Sequence, residues 1–90
     1  MKNPLPTMKN SKDYILEFII NLIQKKSRLP KDCDLEFFDY IESGYVDSME
    51  LIKFIVDIES EFDILISETD MEKSSFRTIG GLVNIIWQKL

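Results

Sequence analysis

Apolar residues recur along this chain at three- and four-residue steps in three stretches, and the segments between them lack that period. In the first, Ile15, Phe18, Ile19, Leu22 and Ile23 keep the spacing of one buried helix face. Ser11 can cap its start, so the pattern predicts a helix from there to about Lys26, with Pro30 as the stop beyond. Lys25, Lys26 and Arg28 place positive charge near the negative pole of that helix. In the second stretch, unrolled at about 100° per residue, Leu51, Phe54, Ile55, Ile58 and Phe62 share one side, a core face. Met49, Lys53, Val56, Asp57 and Ser60 fall opposite. In the third, Ile79, Leu82, Val83, Ile86 and Leu90 line up behind Thr78, a good cap. Residues 63–66 read as a turn with apolar anchors and residues 69–74 as a short helix. The prediction is an all-α chain of four helices, the third short.

Residues 29–47 make a long connection for so small a chain, and such a loop needs anchoring. Leu35, Phe37, Phe38, Tyr40 and Ile41 can anchor it to the helices, with a helical turn near residues 36–41. Gly44 permits the bend that leads to residue 48. Gly80 and Gly81 each weaken the last helix by about 1 kcal/mol relative to alanine, which suggests close approach of another segment. Phe54, Phe62, Phe76 and Trp87 promise a core filled by rings.

Ninety residues, 44% of them apolar, suffice for one domain with a modest core. The net charge of -5 is unevenly placed. Residues 1–31 carry seven Lys or Arg against two acids, residues 32–72 carry fourteen acids against Lys53, and residues 73–90 carry three bases and no acid. The acidic middle repels nucleic acid and favours basic partner proteins, besides keeping the surface solvated. Cys33 is the sole cysteine and histidine is absent, which rules out an internal disulfide and a Cys/His metal site and suits a reducing cytoplasm. Residues 1–10, with two prolines and no signal-like apolar run, read as a flexible leader to a single domain over residues 11–90. The longest apolar stretch, residues 18–23, is broken by Asn21 and too short to span a membrane.

Asp47 and Ser48 open the second helical stretch, and capping alone would account for a bare Asp-Ser pair there. The surrounding run, Glu42-Ser43-Gly44-Tyr45-Val46-Asp47-Ser48-Met49, says more. It resembles the attachment loop of acyl and peptidyl carrier proteins, in which an Asp-Ser-Leu or Asp-Ser-Met triplet opens the second helix and the serine bears 4′-phosphopantetheine. Residues 49–62, closing in Glu61-Phe62, look like that family's second helix. Phe76-Arg77-Thr78-Ile79, with Leu82 and Val83, is similar to the approach to its last helix, so the likeness covers residues 14–87.

That resemblance implies an acyl-carrier-like four-helix bundle with a long first loop. It implies 4′-phosphopantetheine, taken from coenzyme A, on Ser48, with Asp47 helping to present the hydroxyl and the magnesium of a phosphopantetheinyl transferase. The face formed by Met49, Lys53, Val56, Asp57 and Ser60 becomes the surface read by that transferase, by an acyl- or aminoacyl-loading ligase and by a downstream transferase or synthase. Lys53 and Ser60 stand where many fatty-acid carriers have acids, and the spelling of residues 42–49 looks closer to D-alanyl and specialised stand-alone carriers. On this likeness the chain is a monomeric cytoplasmic carrier in lipid or secondary-metabolite biosynthesis.

The chemistry of the residues agrees with a carrier and not with an enzyme. Without histidine there is no imidazole to activate Ser48, so a Ser-His-Asp hydrolase is excluded and Ser48 is a substrate for modification. A ring-filled core leaves little room for a long chain, which points to short or aminoacyl cargo. The glycine pair is open to two readings, tight packing or passage of the prosthetic arm between the second and third helices. A second reading from another class is an unmodified helical interaction module with the same fold. Calcium binding, prompted by Asp32, Asp34 and Glu36, fails because Phe37 and Ser43 stand where an EF-hand needs glycine and a bidentate glutamate. No glycine-rich phosphate loop, zinc pattern or basic aromatic surface is present.

Overall fold

Each helix starts at a side-chain cap, which takes up one of the four N–H groups that a helix cannot bond internally. The computed structural model describes residues 11–25, 28–32 and 34–90. Helix α1 spans Lys12–Ile23, α2 Ser48–Phe62, α3 Glu68–Glu72 and α4 Ile79–Lys89, with a 3-10 turn at Ser74–Arg77 before α4. Ser11 caps α1 through the Tyr14 N–H, Ser67 caps α3 through that of Asp70, and Thr78 caps α4 through that of Gly81, each at 3.1 Å. The four predicted helices are thus observed, and the described residues contain no strand beyond one isolated bridge between Asp39 and Thr78. The leader expected over residues 1–10 lies outside the described residues.

Helix α1 stops at Ile23, short of the expected end at Lys26, which lies outside the described residues. Ile23 is the last buried position on its face, and Gln24 closes the helix while its side chain accepts from the Leu29 N–H at 3.0 Å. Helix α3 begins one residue earlier than expected because Ser67 and Asp70 form a reciprocal capping box. It ends at Glu72, where Lys73 turns extended. Asp63, left-handed at φ 54°, ends α2 and starts the turn to the buried Ile66.

Helices α1 and α4 pack against each other most extensively, and Ile15 and Ile19 of the one and Leu82 and Ile86 of the other are fully buried. Helix α2 packs through rings instead. Phe62 meets Phe18 and Tyr14 edge-on at centroid distances of 5.3 and 5.9 Å, and Phe54 meets Tyr40 at 5.3 Å. Trp87 departs from the expected ring-filled core: it is 41% exposed, with the Lys12 ammonium 5.9 Å above its ring. Leu90 also lies outside the core, one residue past the end of α4.

The long first loop is held by α4. The Ile79 and Gly80 N–H groups, at the first two positions of that helix, donate to the carbonyls of Phe38 and Glu36 at 3.1 Å each, while the Tyr40 N–H donates to Arg77 O at 3.1 Å. The expected helical turn at residues 36–41 is instead two turns flanking this contact, closed by Phe37 N–H to Asp34 O and by Ser43 N–H to Asp39 O. Phe38, Tyr40, Ile41 and Leu35 pack inward as expected, but Phe37 points out and is 71% exposed. The buried Tyr40 hydroxyl donates to Phe76 O, and burial, reinforced by Asp39, holds the phenol well above its ordinary pKa. The glycine pair serves tight packing. A Cβ on Gly80 would lie 2.6 Å from Glu36 Cγ, and one on Gly81 would lie 1.9 Å from Ser75 O. The segments that approach the two glycines are thus the first loop at Glu36 and the 3-10 turn at Ser75.

Gly81→Ala should destabilise the protein by roughly 2–3 kcal/mol by denaturant unfolding, although alanine is the better helix former, because overpacking against backbone outweighs propensity. A second expectation concerns acid. Asp70 is buried; the Lys89 ammonium at 2.7 Å, together with the Ser67 N–H, holds its carboxyl at about 2, below the usual 3.8. A lowered folded-state pKa stabilises fully above the unfolded value and is lost as pH falls toward 2. Thermal melts of the parent and Asp70→Asn should thus differ most above pH ~4, by about 1–2 kcal/mol, and converge toward pH ~2.

Candidate functional site

The segment Tyr45–Val46–Asp47 delivers the chain to the start of α2. Gly44, at φ 85°, makes the bend. The Val46 N–H then donates to Tyr40 O at 3.0 Å and its side chain is buried, so the loop core fixes the residue just before the helix. The Tyr45 hydroxyl donates to Arg28 O at 2.8 Å, tying the same segment to the far end of the loop.

The cap at this helix is Asp47 and not Ser48. Asp47 Oδ1 accepts from the Glu50 N–H at 2.8 Å, and Glu50 Oε1 accepts from the Asp47 N–H at 3.1 Å, a reciprocal capping box. Ser48 is then the first helical residue, exposed, with its hydroxyl free of hydrogen bonds among the described residues. The N–H groups of Ser48 and Met49 find no helical acceptor at these first positions, and both residues are exposed. Free N–H groups and the positive pole of a fifteen-residue helix favour an anion on the Ser48 hydroxyl, and the Asp47 carboxylate partly offsets that preference.

Along α2, Met49 is 86% and Val56 53% exposed, and Lys53 and Ser60 are exposed beside them, as the unrolled helix predicts. Asp57 is drawn toward α1, half-buried, with Lys53 at 3.2 Å and Lys25 at 3.9 Å. Ile52, 71% exposed, belongs to the face and was missed. Its signal was available: Met49, Ile52 and Val56 are spaced three and four apart, a second apolar stripe outside the core stripe. Arg77 also has a part that spacing could not reveal. Its guanidinium reaches Asp39 at 3.3 Å and Glu42 at 3.2 Å, clamping the loop that leads to Ser48. Among the described residues no helix is long and apolar enough to cross a membrane.

A small helical bundle that presents a solvent-facing serine at a capped helix start, beside an exposed apolar stripe, has the architecture of a carrier protein. Residues 17–86 match the family described as phosphopantetheine attachment site, and the chain belongs to that family. It is similar to the acyl carrier protein of Thermotoga maritima, 30% identical over 80 residues that cover 89% of this chain and 96% of that one. It is also similar to the D-alanyl carrier protein of Lactococcus lactis subsp. cremoris, 30% identical over 71 residues, 79% of this chain and 86% of that one. A third relative, the D-alanyl carrier protein of Lactococcus lactis subsp. lactis, is 28% identical over the same length. No solved structure gives a significant match. The chain is therefore a carrier protein whose prosthetic group is 4′-phosphopantetheine. Carriers of this kind are generally non-catalytic and work with biosynthetic enzymes such as ligases.

Asp47→Ala should remove the capping box and cost about 1 kcal/mol of stability, read by denaturant titration, whereas Ser48→Ala should change stability by less than about 0.5 kcal/mol.

Proposed function

We propose that Ser48 carries the 4′-phosphopantetheine arm and that the chain presents short acyl or aminoacyl groups, held as thioesters, to partner enzymes. The observation that carries this reading is the division of labour at the start of α2: Asp47 does the capping, so the adjoining hydroxyl is left exposed and unbonded. In the transfer from coenzyme A, the Ser48 oxygen gives up its proton and forms the new phosphate ester as adenosine bisphosphate leaves. Asp47 helps orient that hydroxyl and the transferase's magnesium. Once bound, the arm supplies a thiol at the end of a long flexible tether, which the lone Cys33 side chain does not. Histidine is absent, so no imidazole beside Ser48 could turn the chain against its own thioester.

Met49, Ile52 and Val56 form the apolar part of the surface that partners read, with Lys53, Asp57 and Ser60 around it. Partners are a phosphopantetheinyl transferase, a loading ligase and a downstream transferase or synthase, meeting a monomeric carrier in the cytoplasm. Lys53 makes this face less acidic than a row of carboxylates would, which favours specialised loading enzymes over those of general fatty-acid synthesis. The D-alanyl carriers among the relatives fit an aminoacyl cargo.

Intact mass after incubation with coenzyme A and a broad-specificity transferase should show one phosphopantetheine adduct on the parent protein and none on Ser48→Ala. A parent protein that stays unmodified would instead favour the unmodified interaction module.

A further inference from the structure

The first loop forms a second exposed apolar surface, to which no helix contributes. Asp34, Phe37, Phe38, Asp39, Glu42 and Ser43 line a shallow groove, and Phe37 stands in it 71% exposed. Backbone bonds hold that ring out of the core. The carbonyls on either side of it, of Glu36 and Phe38, accept from Gly80 and Ile79, and the Phe37 N–H donates to Asp34 O at 3.1 Å. Turning residue 37 inward would break bonds that tie the loop to α4, so a partner that covers the ring meets a surface already ordered.

Charge distinguishes this groove from the stripe on α2, which has Lys53 beside it. Three carboxylates, of Asp34, Asp39 and Glu42, line the groove with the ring. Arg77 reaches Asp39 at 3.3 Å and Glu42 at 3.2 Å, so two acids share one guanidinium, while Asp34 meets no cation among the described residues. Such a rim repels phosphates, and a wholly apolar partner would strip water from the carboxylates and return nothing. An arginine suits both parts: its plane stacks on an aromatic face and its N–H fork meets carboxylate oxygens.

We propose that this groove docks a partner protein through an arginine laid on the Phe37 ring, with neighbouring basic residues against Asp34 and Glu42. Ser43, in the groove lining, is five residues before Ser48, so at most about 18 Å of chain separates them. A partner patch of about 800 Å² is roughly 30 Å across, wide enough to hold the loop while reaching Ser48. The groove needs no prosthetic arm, so it stands or falls apart from the Ser48 reading.

The test uses the full chain with Ser48→Ala, which has no hydroxyl at that position to modify. It is titrated with a blocked glycine peptide bearing two arginines, and with the same peptide bearing lysines or citrullines, while NMR follows the backbone amides and the Phe37 ring. The arginine peptide should move the ring signals and the amides of residues 34–43, bind more tightly than the lysine peptide, and weaken as salt is added. The uncharged citrulline peptide should not bind. Phe37→Leu keeps an apolar side chain without an aromatic face and, being exposed, should melt with the parent. It should weaken the arginine peptide about two- to fivefold, the worth of one exposed cation–π contact. Asp34→Asn combined with Glu42→Gln should weaken it too and flatten the salt dependence. Shifts centred on Met49 and Ile52, no shifts at all, equal binding of the citrulline peptide, or unchanged affinity in Phe37→Leu overturn the proposal. Ring shifts that follow protein concentration alone assign the groove to a second copy and overturn it as well.

Discussion

The fold depends on one exchange of backbone hydrogen bonds between the first loop and the start of α4. A helix leaves its first N–H groups without partners, and burying them unpaired would cost about 1–3 kcal/mol each. Here Ile79 and Gly80 give theirs to loop carbonyls and Gly81 gives its own to Thr78, so the helix start is satisfied by the segment it must hold. The loop gains in return, since its carbonyls at Glu36 and Phe38 are bonded where a long connection would otherwise face either water or an unsatisfied interior. Such close approach demands glycine at Gly80, where any Cβ would meet Glu36.

From that contact the geometry passes to Ser48 through a short chain of bonds. Tyr40, seated among Phe54 and Phe76 with its hydroxyl on Phe76 O, holds the loop's middle. Its carbonyl fixes the Val46 N–H, Gly44 supplies the turn between them, and Arg77 grips Asp39 and Glu42 from outside. The bonds that set the loop are buried or backbone, whereas the Arg77 pairs are half exposed and contribute about 0.2–1 kcal/mol. The serine is positioned by the scaffold and stays free at its tip.

Much of this was legible in the chain itself, for reasons that differ by element. The core stripes of α1, α2 and α4 could be read because burial on one face of a helix imposes a 3.6-residue period that local sequence must honour. The Thr78 cap was legible for the same local reason. Loop details were not. Phe37 and Phe38 are adjacent rings of equal hydrophobicity, and which one turns inward is decided by the bridge from Asp39 to Thr78, a contact thirty-nine residues away in sequence. Trp87 reads as core by composition, yet it is turned about 100° around α4 from the buried Ile86, at the edge of the core face, and settles under Lys12. At the site, the Asp-Ser pair could not by itself say which residue caps; the Glu50 three positions after Asp47 tips the balance by completing the box.

Helix α2 therefore has three working faces, and their order around the axis matters. The buried stripe of Phe54, Ile58 and Phe62 ties it to the bundle; the exposed stripe of Met49, Ile52 and Val56 faces out; and Lys53 stands between the outer stripe and the α1 side. Lys53 is bonded to Asp57 at the edge of a cleft between α1 and α2, while its stem borders the exposed stripe. On the proposed reading, a partner that settles on Met49 and Ile52 also touches Lys53, at the edge of that cleft. The Lys53–Asp57 pair is exposed enough to be worth well under 1 kcal/mol, so an acidic partner side chain can compete for the ammonium at small cost. Lys25 stays near Asp57 when Lys53 turns outward, so such a partner meets a cation here, whereas a carboxylate at position 53 would repel it and leave Asp57 without its closest cation.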